Sequence, residues 1–172
     1  MSSSAANPTA TAEPTKKVLL RTSDNEIFEV EESIAMEFGT VKSFLEDSPS
    51  STNTVPLPNV SAQELPSVIE FCREHIKMRA NADDDEEKKK RYNEGFVKEK
   101  SIGELAELLL VSNYLEIKNL LEVLNQAVAD RIENKSVEYV RKFFGVENDY
   151  TPEEEAKLRQ EYAWAHEGVD KD

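Results

Sequence analysis

Three capping-box signatures punctuate the chain: Ser61-x-x-Glu64, Ser101-x-x-Glu104 and Thr151-Pro152-x-Glu154. In each, the hydroxyl can take the N–H of the third helical residue while the glutamate returns to the N–H of the cap itself. Behind the first run Leu65, Val68, Ile69, Cys72 and Ile76, and behind the second Leu105, Leu108, Leu109 and Ser112, both at helical spacing. A further stripe, Ile117, Leu120, Leu121, Leu124, Val128 and Ile132, comes next. Ser136 then caps a short helix holding Val137, Val140, Phe143 and Phe144, stopped near Gly145. Most of the chain beyond residue 60 is therefore committed to helix.

The N-terminal part has a shorter period. VLLR (Val18–Arg21) and EIFEV (Glu26–Val30) flank Asp24-Asn25, a pair that tolerates the positive φ of a tight hairpin. Ile34, Ala35 and Phe38, then Val41, Phe44 and Leu45, suggest two short helices broken at Gly39. In VPLPNV (Val55–Val60) two prolines enforce an extended path. The expected fold class is α/β in the α+β sense: a mostly helical chain with a small three-stranded sheet covered by helices.

Two helices stand out. The one from Ser101 is apolar on nearly every side, with Ala106, Leu110 and Val111 filling its remaining faces, which predicts central burial. The last one is the opposite: Glu153 to Gln160 offers only Ala156 and Leu158 as apolar residues, ahead of Tyr162-Ala163-Trp164-Ala165. From Glu147 to Asp172 there are nine acidic and three basic side chains, a net of −6. These charges repel one another, and such a helix has little core of its own to join. Residues after about Asn148 are expected to order on a partner, with Trp164 as the anchor.

Composition sets the boundaries. Residues 1–15 are Ser, Ala, Thr and Pro with one charge, the mark of a flexible tail. Asp47–Asn53 (DSPSSTN) is a polar break. Asn81–Tyr92 carries five acids followed by four bases, and 80–92 is expected to be a mobile charged linker. The expected organisation is tail 1–15, body 16–134 and helical extension 135–172.

Charge and chemistry narrow the function. With 35 acidic and 21 basic side chains in 172 residues, the net charge is −14. That argues against nucleic acid and anionic membrane surfaces, both of which need Lys and Arg. A single cysteine, Cys72, excludes an internal disulfide and fits a reducing compartment. No apolar run reaches the roughly 18–20 residues of a membrane span, and MSSSAANPTATAEPT lacks a signal core. The expectation is a soluble intracellular protein.

Catalytic groups are scarce. Cys72 and His75 lie one helical turn apart, but two ligands do not complete a tetrahedral zinc site, so Cys72 is expected in the apolar stripe and His75 at the surface. Five glycines form neither GxGxxG, nor a phosphate loop, nor a Gly-x-Ser-x-Gly elbow. The acidic runs Asp83–Glu87 and Glu153–Glu155 sit in solvated segments rather than apolar pockets that would raise a carboxyl pKa. The sequence therefore predicts no enzyme, no metal and no cofactor. It predicts a binding module whose Phe144, Val146 and Trp164 serve as apolar anchors in a polar rim.

TSDNEIFEVEESIA (Thr22–Ala35), VPLPNV (Val55–Val60), NYLEIKNLL (Asn113–Leu121) and NDYTPEEEAKLRQEYAW (Asn148–Trp164) resemble the S-phase kinase-associated protein 1 family. These are the adaptors of SCF (Skp–cullin–F-box) ubiquitin ligases, and the resemblance covers about residues 17–166 in order. It implies a BTB/POZ fold with a two-helix C-terminal extension and no activity of its own. It also implies two partners, the N-terminal domain of a cullin and the F-box of a substrate receptor, and residence in nucleus and cytoplasm. By position, Asn113 and Tyr114 match the cullin-facing pair. Leu121, Val128, Ile132, Val140, Phe143, Phe144, Val146 and Trp164 match the F-box-facing set. The long tail and charged linker look like the plant branch.

The chain departs from the family pattern at identifiable places. The family usually carries tryptophan at Tyr92, glycine at Asn25 and Ala-Ala at Val111-Ser112. It carries Gly-Lys-Thr-Pro-Glu-Glu where Asn134–Tyr139 stand here, and Asn-Ile at Gly145-Val146. Two other readings stay open. One is an elongin-C-like or other BTB adaptor of a different cullin ligase, although such proteins lack the NDYTPEEE…W extension. The other is a regulator that sequesters F-box proteins without joining a ligase.

Overall fold

Lys17–Thr22 (β1) and Ile27–Glu31 (β2) form the expected antiparallel hairpin, in register from Lys17↔Glu31 to Arg21↔Ile27. Its turn closes through Thr22, whose N–H donates to the Glu26 carbonyl at 3.0 Å and whose hydroxyl accepts the Glu26 N–H at 3.1 Å. Asn25 takes φ +66°, the left-handed conformation that asparagine tolerates better than other residues with a Cβ. Asn134 does the same at φ +57°.

Thr54–Leu57 (β3) pairs in parallel with β1, from Leu19↔Thr54 to Thr22↔Leu57, giving the sheet order β2-β1-β3. Pro56 is tolerated because β3 has a single neighbour. The structure, a computed structural model, describes residues 16–47, 54–80 and 86–169. The proposed tail 1–15, most of the break at 47–53 and residues 81–85 lie outside the described residues. The chain divides into two compact units, Met1–Asp84 with Asn113–Ile117, and Asp85–Ser112 with Lys118–Asp172.

In the first unit the sheet is joined by helices Glu32–Ala35 (α1), Gly39–Asp47 (α2) and Leu65–Ala80 (α3). Val18 and Leu20 alternate with exposed or half-buried neighbours along β1. They share the core with Ile34, Phe38, Val41, Leu57, Leu65, Val68 and Phe71. Two expectations need correction. The Ser61–Glu64 box does not cap α3 reciprocally. The Ser61 hydroxyl donates to the Glu64 carboxylate and accepts the Gln63 N–H at 3.2 Å, and the helix opens later, at Leu65. That start places Pro66 in the first turn, where a missing N–H costs nothing. His75 is not at the surface. It is 9% exposed and stacks on Phe71 with ring centroids 4.2 Å apart, since three turns of apolar stripe carry it under the same cover as Cys72.

The second unit is helical: Glu86–Lys98 (α4), Ile102–Tyr114 (α5, whose last two residues belong to the first unit), Lys118–Ile132 (α6), Val137–Phe144 (α7) and Pro152–Glu161 (α8). A single 3-10 turn, Ala163–His166, follows. The segment read as a linker over 80–92 is helical from Glu86. Glu86 and Glu87 stand in its first turn and Lys98 in its last, the placement a helix dipole favours, and Lys89 pairs with Glu86 at 3.0 Å. At the far end of α4, Arg131 of α6 donates to the Val97 carbonyl at 2.8 Å. The Ser101–Glu104 box is fully formed, with the Ser101 N–H on the Glu104 carboxylate at 2.7 Å and the Glu104 N–H on the Ser101 hydroxyl at 3.3 Å.

Helix α5 is not buried all round. Leu105, Leu108, Val111 and Ser112 are inside, but Leu110 is 73% exposed and Ala106 also faces water. Hydrophobic composition predicts how many faces a helix can bury, and the packing here uses one side only. Helix α7 follows its sequence signals closely. The Ser136 hydroxyl accepts the Tyr139 N–H at 3.0 Å, and Gly145 ends the helix at φ +64°, where a residue with a Cβ is strained.

Candidate functional site

The first candidate surface is the C-terminal end of α5. Asn113 is exposed and Tyr114 half-buried. Helices end with carbonyls that have no intrahelical donor. Here the Asn113 carbonyl accepts the Glu116 N–H at 3.2 Å and the Tyr114 carbonyl accepts the Thr40 hydroxyl at 2.5 Å. Glu116 turns the chain at φ +57°, so Asn113 and Tyr114 are the last residues before a sharp reversal. Leu115 and Ile117 just beyond are buried, which anchors the reversal from inside.

The second candidate surface lies on α6, α7, α8 and the 3-10 turn. Among the apolar positions singled out from the sequence, Trp164 is 73% exposed, Val146 57% and Phe144 54%. Leu121, Ile132 and Val140 are half-buried, while Val128 and Phe143 are buried. Phe143 meets Phe144 edge-on at 4.9 Å between ring centroids, so the buried ring supports the exposed one. Tyr150 and Tyr162 add two further exposed aromatics that the sequence reading did not single out.

What holds α8 is charge rather than apolar area. Thr151 and Glu154 complete the capping box at its start, with the Thr151 N–H on the Glu154 carboxylate at 2.9 Å. That backbone bond, followed by the Thr151 hydroxyl, holds the Glu154 carboxyl below its ordinary range. Glu155 then accepts from Arg141 of α7 at 3.1 Å and from the Asn148 side chain at 3.2 Å. Arg159 pairs with Glu138 and stands 3.7 Å from Glu155. The Arg141 guanidinium also lies over the Tyr150 ring, 5.9 Å from its centroid. A cleft of about 240 Å³ opens here, with Val137, Leu158 and Tyr162 as apolar wall and Arg141, Glu155 and Arg159 as charged wall. The sequence reading counted the α8 acids as mutually repelling. Arg141 and Arg159 both stand against one of them, Glu155.

The Cys72 thiol is buried and pushed up to about 12 by desolvation, so it stays protonated and inert. Among the described residues no group of three His, Cys, Asp or Glu side chains could hold a metal ion. No described helix is long and apolar enough to cross a membrane.

Comparison with known proteins reaches both units. Residues 16–77 match the Skp1 family, tetramerisation domain, and residues 118–165 match the Skp1 family, dimerisation domain. SKP1-like protein 14 of Arabidopsis thaliana is 43% identical over 151 residues, covering 88% of this chain and 97% of the relative. SKP1-like protein 20 of Oryza sativa subsp. japonica is 41% identical over 175 residues, covering 92% and 99%. The SCF ubiquitin ligase complex protein SKP1a of Dictyostelium discoideum is 39% identical over 156 residues, covering 87% and 96%.

Proposed function

This chain belongs to the Skp1 family, and from that premise we propose that it is the non-catalytic adaptor of an SCF ubiquitin ligase, bridging a cullin to F-box substrate receptors. The observation that carries the reading is the extent of the family match. It takes in the sheet with most of α3 (residues 16–77) and then α6 to Trp164 (residues 118–165), in order, with relatives covered almost end to end. The fold is of the BTB/POZ type, extended by α7 and α8.

The mechanism is one of placement. One surface, with Asn113 and Tyr114, meets the N-terminal domain of a cullin. Another, with Leu121, Val128, Ile132, Val140, Phe143, Phe144, Val146 and Trp164, meets the F-box. The adaptor holds receptor-bound substrate close to the ubiquitin-charged enzyme recruited by the cullin, raising effective concentration with no bond made or broken on the adaptor itself. It requires no metal or cofactor. The same reading places it in the nucleus and cytoplasm, where a lone cysteine remains a thiol. An elongin-C-like role is disfavoured by the NDYTPEEE stretch that becomes the capped start of α8.

Replacing Asn113 and Tyr114 together by Ala tests the assignment. Cullin binding should fall while F-box binding holds. Equal loss of both partners would overturn the placement of the two surfaces.

A further inference from the structure

We infer that Thr40, seventy-four residues before Tyr114 in sequence, is a positioning residue that fixes the aim of the Asn113–Tyr114 pair; the inference rests on the cullin-facing role proposed above. Thr40 is the second residue of α2, where backbone donors have no acceptor in their own helix. Tyr114 is the last residue of α5, where carbonyls have no donor. The two ends meet: the Thr40 hydroxyl donates to the Tyr114 carbonyl at 2.5 Å, and the Thr40 N–H points to the Leu115 carbonyl at 3.5 Å.

A second contact locks the same reversal. Glu116 holds φ +57°, a conformation a glutamate adopts only under constraint, and its side chain lies against Gly39, the residue before Thr40. A Cβ on Gly39 would stand 2.7 Å from the Glu116 carboxylate oxygen and 2.8 Å from its Cβ. Gly39 is therefore needed for close approach, not for an unusual φ. The start of α2 grips the end of α5 on both sides of Leu115, whose side chain is fully buried. Asn113 and Tyr114 project from a backbone that has little freedom left. A pre-organised pair binds without the ordering cost of a loose one. Thr40 contributes to cullin affinity through this restraint, without touching the cullin.

The test uses the full chain with Thr40→Val, Thr40→Ala and Thr40→Ser, measuring affinity for a cullin N-terminal domain and for an F-box protein, with thermal unfolding alongside. Loss of one such hydrogen bond predicts cullin binding weaker by roughly tenfold for Val and Ala. F-box binding should stay within about twofold, and Ser, which keeps the hydroxyl, should recover cullin affinity. Thr40→Ala guards against misfolding caused by the added methyl of valine. Unchanged cullin affinity in the Ala variant, or failure of Ser to recover it, overturns the inference, as does parallel loss of F-box binding. The Asn113→Ala, Tyr114→Ala protein separates the two levels. If it loses cullin binding while Thr40→Ala does not, only the positioning role fails. If it binds cullin normally, the cullin-facing assignment fails and the positioning role with it.

Discussion

Trp164→Ala is the substitution on which the F-box-facing surface stands or falls. The side chain is 73% exposed in the free chain, so truncation removes little from folding. Large aromatics bury about 150–250 Å² when covered, which leaves about 110–180 Å² of Trp164 for a partner to cover. At about 25 cal/mol per Å² that area stabilises a complex by about 3–5 kcal/mol. Immobilising the side chain costs about 0.5–1.5 kcal/mol, so the net loss on truncation is about 2–4 kcal/mol, from roughly thirtyfold to several hundredfold in Kd. Calorimetric titration with an F-box protein gives the affinity, and thermal unfolding of the free chain gives the stability. We expect a large change in the first and almost none in the second. Amide hydrogen exchange adds a third readout, because Glu155–Trp164 should gain protection when the F-box binds. A stability loss matching the affinity loss, or strong protection of Glu155–Trp164 in the free chain, would mean that Trp164 is held by its own fold and is no F-box anchor.

Phe38→Ala should lower unfolding stability in urea by about 3–5 kcal/mol, since the ring is fully buried, whereas Leu110→Ala should stay within about 0.5 kcal/mol because that side chain faces water. Arg141→Ala should loosen α8 by about 1 kcal/mol, seen as faster exchange across Glu155–Glu161 with a weaker dependence on salt. The Glu154 carboxyl is held below its ordinary range by Thr151, so its support of the α8 cap is complete above the usual glutamate value near 4.3 and is lost as the pH falls through the lowered one. An NMR titration should show that value moving part of the way back up in Thr151→Ala, which keeps the backbone N–H and loses the hydroxyl, and an unmoved value would remove the Thr151 hydroxyl from the explanation.

Local chemistry was legible in the sequence; long-range chemistry was not. Asn25 at the hairpin turn, Ser136 and Gly145 at the ends of α7, and the boxes at Ser101 and Thr151 all act over three or four residues, and each forms as its residues imply. The Ser61–Glu64 pair carries the same signature, yet its two side chains bond each other and the helix opens only at Leu65, with Pro66 in the first turn. The candidate surface at Asn113–Tyr114 can be placed on a helix end from sequence, but its grip by Thr40 depends on an approach that no periodicity reports. His75 falls in the same class, because its burial depends on what covers the helix beside Phe71. Arg141 and Arg159 look like ordinary solvated charges in the sequence. Only the approach of α8 to α7 turns them into partners for Glu155 and Glu138.

The adaptor role itself is tested most directly by reconstitution. The full-length chain, mixed with a cullin N-terminal domain and an F-box protein and passed over a sizing column with light-scattering detection, should carry both partners in one complex of equal stoichiometry. The cullin domain and the F-box protein should not co-elute without it. A chain that captures the F-box protein but leaves the cullin domain free would contradict the account and make the protein a sequestering regulator instead.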